Sequence, residues 1–437
     1  MRSGRLTDVG RVLEAAEAAS PVEAVEGVAR ELGLAFGAVD VSFLITDFSG
    51  RALVRLAHVP LSQEQTGGRA SLVLGERRAD EESATVLPFD GGPAEHAVRT
   101  QSVQVVQPDN ADKSRVEDDL WRVYAPVTER GESIGLLEMN LPHEPDRDVV
   151  AEVAQVAHLL AYVVIANRRH TDLFEWGRRS RAFDLSAEIQ QRLLPESRTI
   201  EASAFTLAAW LEPAESIGGD TFDYSLARDV LHLSLTDAMG HGVHAALMAS
   251  MCLGGLRGAR RRGLSLLEQV TDANRALAEH AVRRAGDEFV TGLIGRVELR
   301  TGSLDIVNAG HVPPYLLRDS TLIPLDLPVD LPLGMFADST YRSTRLSLSP
   351  GDRFVLMTDG MLERNVSTID VPAAILKSEN LHPREVVRAL ADSALSAAGH
   401  ALQDDATLLC LDWHGMHGQS RESESGADPL RASDPVE

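Results

Sequence analysis

The spacing of apolar residues divides the chain into four stretches. In the first, residues 1–144, the segment PVEAVEGVARELGLAFG places Val22, Val25, Val28, Ala29 and Leu32 on one side of a helix. Short runs of strand character follow: VDVSFLITD, RALVRLAHV, SVQVVQ, WRVYAPVTE and SIGLLEMNLP. Asp47 to Gly50 is predicted to turn between the first two runs, and Arg130-Gly131-Glu132 to make a hairpin between the last two. The pattern predicts a small α+β unit on an antiparallel sheet.

Residues 145–200 change to a helical period. VVAEVAQVAHLLAYVVIANRRHTDLF is apolar around more than half a helix, and SRAFDLSAEIQQRLLP carries Phe183, Leu185, Ile189, Leu193 and Leu194 before Pro195 stops it. A helix this apolar must be covered, either by the domain it leaves or by a second copy of the chain. It is a helical connector whose first part can belong to the preceding domain, and a candidate homodimer contact. Residues 201–414 return to strands: TLAAWLEP, DVLHLSLTDA, FVTGLIGRVEL, GSLDIVNAG, PPYLLR, TRLSLSP, DRFVLMTD and ATLLCLDW. Helical periods appear in GVHAALMASMCLGGLRGAR, SLLEQVTDANRALAEHAV and PREVVRALADSALSAAG. Many strands with few helices predict two packed sheets flanked by helices, an α-β-β-α sandwich. Residues 415–437 lack apolar periodicity and are rich in Ser, Glu, Asp and Pro, which predicts a disordered acidic tail.

Composition narrows the class. The net charge of -23 argues against a nucleic-acid partner, which needs clustered Lys and Arg, and against an anionic membrane surface. The N-terminal residues carry acidic side chains where a signal peptide needs an apolar core. The most apolar run, 156–166, is shorter than the ~20 residues that span a bilayer. These features predict a cytoplasmic protein. Cys252 and Cys410 both lie in apolar runs and form no CxxC pair, so both are expected to be buried free thiols.

Candidate chemistry gathers at strand ends in the third stretch. Asp220 follows Gly218-Gly219; Asp237 ends an apolar strand before a Gly-rich turn; Asp359-Gly360 repeats that plan; Asp404-Asp405 enters the last strand. A single Asp-Gly at a strand end is ordinary turn chemistry. Four acidic rims in one domain, if they converge, repel one another unless cations lie between them. Oxygen ligands without a Cys or His cluster select Mg²⁺ or Mn²⁺. No GxSxG and no GxxxxGK[ST] occurs, so neither a serine-hydrolase elbow nor a P-loop is expected.

The ordered blocks carry a resemblance. Ile217-Gly218-Gly219-Asp220-Thr221-Phe222-Asp223-Tyr224, Asp237-Ala238-Met239-Gly240-His241-Gly242, Asn308-Ala309-Gly310-His311, Leu333-Gly334, Thr358-Asp359-Gly360 and Asp404-Asp405-Ala406-Thr407 together are similar to the SpoIIE/RsbU branch of PPM-type serine/threonine phosphatases. EIQQRLLP resembles the helix that leads into such domains, and residues 1–144 resemble a GAF sensor domain in shape. The resemblance implies two divalent metal ions, Mn²⁺ or Mg²⁺. Asp237 would bridge them and Ala238 would lend its backbone carbonyl. Asp359 and Asp404 would hold the second ion, with Asp405 as the alternative to Asp404, and Asp220 would ligate the first. It further implies a phosphorylated substrate of the anti-anti-sigma type and control by an unidentified small-molecule or protein signal at the N-terminal domain.

Other residues have plainer readings. His241 is a candidate acid for the leaving oxygen or a loop residue; His311 is expected to fix its turn by hydrogen bonding or, alternatively, to touch substrate. Asp223 is expected to shape its loop. Arg257, Arg260, Arg261 and Arg262 read as a helix C-terminus with Gly263 just beyond. Met239, Met248 and Met251 are expected to pack around the Gly-rich turn.

Overall fold

The structure, a computed structural model, describes residues 9–61, 85–108, 119–179, 185–213, 218–284, 287–362, 369–399, 402–416 and 427–433. Phe183, Ile217 and most of the tail lie outside these. The chain separates into two compact units, Met1–Ala182 with Glu422–Glu437, and Phe183–Arg421.

In the N-terminal unit the elements run α1 (Val9–Ala18), α2 (Ala24–Phe36), β1 (Asp40–Thr46), β2 (Ala52–Pro60), β3 (Val86–Pro88), α3 (Pro93–Thr100), β4 (Gln104–Val106), β5 (Trp121–Glu129), β6 (Glu132–Leu141), α4 (Arg147–Asn167) and α5 (Leu173–Gly177). The six strands form one antiparallel sheet in the order β3-β2-β1-β6-β5-β4. The predicted hairpin joins β5 to β6, with Arg130 and Gly131 both at positive φ. Asp47 ties the other turn by accepting from the backbone N–H of Arg51 and Ala52.

The apolar run expected to be too short for a membrane lies inside a longer helix. Arg147–His170 is long and apolar enough to cross one by length and composition. Val153, Val156, Ala157, Leu160, Ala161, Val163 and Val164 of α4 are instead buried in this unit's own core with α2 and the sheet. The tail differs from expectation over 427–433. Asp428 caps a single turn, Pro429–Arg431, and Ser433 Oγ accepts from Arg99.

In the C-terminal unit the order is α6 (Leu185–Leu193), β7 (Thr199–Glu201), β8 (Phe205–Glu212), β9 (Thr221–Leu226), β10 (Val230–Ala238), α7 (Val243–Arg261), α8 (Leu266–Arg284), β11 (Val290–Glu298), β12 (Ser303–Ala309), β13 (Tyr315–Arg318), β14 (Thr321–Pro324), β15 (Val329–Asp330), β16 (Ser343–Ser347), β17 (Arg353–Met357), α9 (Val371–Lys377), α10 (Pro383–Ala397) and β18 (Ala406–Trp413). One sheet runs β15-β12-β11-β10-β9 with β16 also on β12; the other runs β14-β13-β17-β18-β8-β7.

Alternation along the strands creates the layers. On β8, Phe205, Leu207, Ala209 and Leu211 face the other sheet, where Phe222, Leu233, Leu235, Leu293 and Ile306 meet them. Ala208 and Trp210 face the opposite way, onto Val386, Val387 and Leu390 of α10. On the outer side of the first sheet, Val290, Ile294 and Val307 pack on Met248, Cys252 and Leu256 of α7 and on Val270 and Leu277 of α8. The result is the expected α-β-β-α sandwich.

Helix α6 departs from its sequence pattern. Leu185 is exposed and Ile189 only partly covered, whereas Ser186, Ala187 and Gln190 are buried. The helix turns part of its polar face inward.

Candidate active site

Antiparallel pairing brings the acidic strand ends together. Thr221 pairs with Thr236, so Asp220, just before β9, lies beside Asp237 near the end of β10. Met357 pairs with Leu408, so Asp359, after β17, and Asp404-Asp405, before β18, share the rim of the second sheet. Cross-sheet hydrogen bonds join the two rims. Thr358 Oγ1 and Thr407 Oγ1 both donate to Asp220 Oδ2, at 2.7 and 2.6 Å. Thr358 Oγ1 also accepts from the Thr407 N–H at 2.9 Å.

Two glycines permit this approach. A Cβ on Gly219 would stand 2.4 Å from the carbonyl oxygen of Ala238, and one on Gly360 would stand 2.0 Å from that of Asp405. The Asp residues therefore meet where the backbone has no side chain to hold it apart.

Burial and charge act in the same direction on this group. Asp237 is pushed up to about 7, first by burial and then by Asp359, Asp404 and Asp405. Asp220 is held well above the usual carboxylate range by burial, then by Asp237 and Asp405; the Thr407 and Thr358 hydroxyls pull it partly back. Asp404 is raised by burial and by Asp359, with His241 opposing. Asp220 and Asp405 are buried, Asp237 and Asp404 half-buried and Asp359 exposed; the negative charge of such a group is relieved by a divalent cation. Among the described residues, no three acidic, His or Cys side chains close around one point as a ready-made cage. Mg²⁺ does not need one, since it keeps several waters and takes one or two carboxylates.

Each remaining candidate has a definite place. Asp405 is buried; its Oδ2 accepts from the Gln190 side chain at 2.6 Å and from the Gly218 N–H at 3.1 Å. Asp404 is half-buried and its Oδ1 accepts from the Asp405 N–H. Ala238 is fully buried at the end of β10. His241 is exposed, within electrostatic reach of Asp404. His311 is buried and engaged at both ring nitrogens, with Thr291 Oγ1 at 2.8 Å from Nδ1 and the Met357 carbonyl at 3.2 Å from Nε2. Asn308 fixes its backbone, as the turn reading expected. Burial holds the His311 ring at a pKa of about 4, so it is neutral.

Asp223 takes Arg257 and Arg260 in ion pairs, and α7 ends at Arg261 with Gly263 at positive φ. Met248 is buried and Met251 packs on the same core, but Met239 is 40% exposed and lines no core. Cys252 and Cys410 are buried free thiols, each pushed up to about 12 by burial, which removes them as nucleophiles.

Sequence reading assigned no role to Thr358, Thr407 and Gln190. The two threonines stand inside quoted motifs, and Gln190 inside EIQQRLLP. Their motifs were the available signal; the partner each one serves was not.

The family described as Stage II sporulation protein E (SpoIIE) matches residues 227–414. That span contains every acidic candidate except Asp220 and Asp223. Phosphoserine phosphatase RsbU of Bacillus subtilis (strain 168) is 25% identical over 235 residues, covering 52% of this chain and 69% of the relative. Phosphoserine phosphatase RsbP of the same organism is 24% identical over 241 residues, covering 53% and 58%. Among solved structures, the RsbU and RsbW domains of Rv1364c from Mycobacterium tuberculosis align with a TM-score of 0.42 at 26% identity, over 50% of this chain and 62% of that one. The C-terminal unit carries a SpoIIE-type domain over residues 227–414, similar to two named phosphoserine phosphatases.

Proposed function

We propose that the chain is a divalent-metal-dependent protein phosphatase acting on phosphoserine or phosphothreonine. The carrying observation is the gathering of Asp220, Asp237, Asp359, Asp404 and Asp405 at the joined rims of two sheets, where burial and neighbouring carboxylates raise Asp220, Asp237 and Asp404. Asp237 and Asp220 would hold one Mn²⁺ or Mg²⁺ with the Ala238 carbonyl. Asp359 and Asp404 would hold a second, with Asp237 shared. Bound there, such ions supply Lewis-acid charge and acidify a water. The protein's part is positional. Thr358 and Thr407 fix Asp220, and the Gln190 amide and Gly218 N–H fix Asp405. This supports Asp404 as the ligand and Asp405 as its anchor. His241, exposed and within electrostatic reach of Asp404, is the candidate acid for a leaving seryl oxygen. His311 has both nitrogens occupied and serves the turn.

RsbU and RsbP are named phosphoserine phosphatases, which supports a phosphoseryl substrate; that this substrate is a protein of the anti-anti-sigma type is what the sequence resemblance implies. The N-terminal unit, with its antiparallel sheet and covering helices, is read as a GAF-like sensor of an unidentified small-molecule or protein signal, in a cytoplasmic protein. The test is hydrolysis of p-nitrophenyl phosphate by the full chain with Mn²⁺ and with EDTA. Turnover that needs Mn²⁺ and is lost in Asp237→Asn supports the reading. Absence of turnover in both, with biological output unchanged by Asp237→Asn, assigns the unit to a silent scaffold instead.

A further inference from the structure

Helix α6 reaches the acidic rim with one side chain. Gln190 is 2% exposed. Its Nε2 donates to Asp405 Oδ2 at 2.6 Å and to the backbone carbonyl of Asp220 at 3.0 Å. A single carboxamide therefore uses both its N–H groups on two acidic segments that belong to different sheets. The far end of α6 is held separately: Arg257 Nη2 donates to the Leu193 carbonyl at 2.7 Å while the same guanidinium grips Asp223.

We infer that Gln190 is a positioning residue for the acidic site, so that the seating of α6 sets how well the rim takes a divalent cation. This rests on the functional reading above. The physical argument is one of charge and geometry. Asp405 Oδ2 is held by the Gln190 amide and the Gly218 N–H, and the same amide holds the main chain at Asp220. Hydrogen bonds to an ionised carboxylate favour its charged form and fix its direction. Withdrawing Gln190 frees the Asp405 side chain to turn and leaves a buried charge less satisfied. The same motion releases the main chain at Asp220. Because α6 is the first helix of the C-terminal unit, it is also where the chain arriving from the N-terminal unit enters.

The test is calorimetric titration of Mn²⁺ into the metal-free full chain, wild type and Gln190→Met. Methionine keeps the length and volume but has no donor. The expected result is Mn²⁺ binding weakened about tenfold, the scale of one hydrogen bond to a charged group. Arg192→Ala, which removes an exposed ion pair on the same helix, should bind Mn²⁺ like wild type. Wild-type affinity in Gln190→Met, with or without a lowered melting temperature, overturns the inference and leaves the functional reading standing. No Mn²⁺ binding in the wild type overturns the functional reading and the inference with it. If Gln190→Met does not fold, Gln190→Asn, which keeps the amide on a shorter arm, is titrated instead. Unchanged affinity there overturns the inference, and weakened affinity supports it.

Discussion

Thr407 donates its hydroxyl proton to Oδ2 of Asp220 at 2.6 Å, although the two residues are 187 positions apart. The bond joins the first strand-start of one sheet to the last strand of the other, and it supports a carboxylate that burial and its neighbours disfavour. Replacing Thr407 by Val keeps the shape and removes the donor. Mn²⁺ affinity is expected to fall by roughly 1.5–3 kcal/mol, the range for a hydrogen bond to a charged group. A Mn²⁺ titration followed by phosphatase activity checks this; Thr358→Val should act in the same direction, and the double variant should lose less than the sum because both bonds serve one oxygen.

Asp237→Asn is expected to separate activity from stability. Hydrolysis should drop by at least about a hundredfold, as for loss of a principal electrostatic group. The metal-free fold should become more stable. The folded-state pKa of Asp237, about 7, lies above its unfolded value near 3.8. Its contribution is therefore fully present below the unfolded value and is lost as pH rises through about 7. Asparagine removes that loss. Urea denaturation in EDTA should show the variant ahead by on the order of 3 kcal/mol at pH 8, with the gap closing toward pH 4.

His311 has the opposite sign. Its pKa of about 4 in the fold lies below 6.5 in the unfolded chain, so the unfolded state takes up protons first. The stability His311 contributes is complete above pH 6.5 and is lost as pH falls from there to about 4. The size is about 3 kcal/mol for a shift of this extent. Protonation would put a hydrogen on Nδ1 and oblige Thr291 to turn its own hydroxyl hydrogen elsewhere. His311→Gln should be less stable than wild type at pH 8 and lose less on acidification, as chemical denaturation between pH 8 and pH 4 will show.

Gly219→Ala should be costly despite its single methyl group. The new Cβ meets the Ala238 carbonyl oxygen at 2.4 Å, so a backbone group must move. The expected loss is about 1–3 kcal/mol of stability, as for overpacking, together with a weakened response to Mn²⁺, because the displaced carbonyl is a proposed metal donor. Melting in EDTA and Mn²⁺-dependent turnover report the two effects separately.

Much of the architecture was legible along the chain. The strands that run at full length through the sandwich, β8, β10, β11, β12, β17 and β18, all show as apolar runs, and α7, α8 and α10 as helical periods. Short elements were less legible. β9 was hidden because Thr221–Leu226 carries the Asp223 turn chemistry, and α1, α3 and α9 carry little apolar signal. Helix α6 faces the core differently along its length: Leu193 and Leu194 at its end pack on the core as their pattern predicts, whereas Leu185 is exposed and Ser186, Ala187 and Gln190 turn inward.

By itself the sequence determined which residues are candidates for chemistry and that they sit at strand ends, since both are local properties of composition and period. The order of the acidic blocks then pointed to the phosphatase class. Only the tertiary structure decided that Asp220, Asp237, Asp359, Asp404 and Asp405 share one electrostatic neighbourhood, and that two threonines and a glutamine hold it. The reason is physical. Strand pairing and cross-sheet hydrogen bonds join residues far apart in sequence, and the pKa shifts that mark the site arise from burial and from charges on other strands.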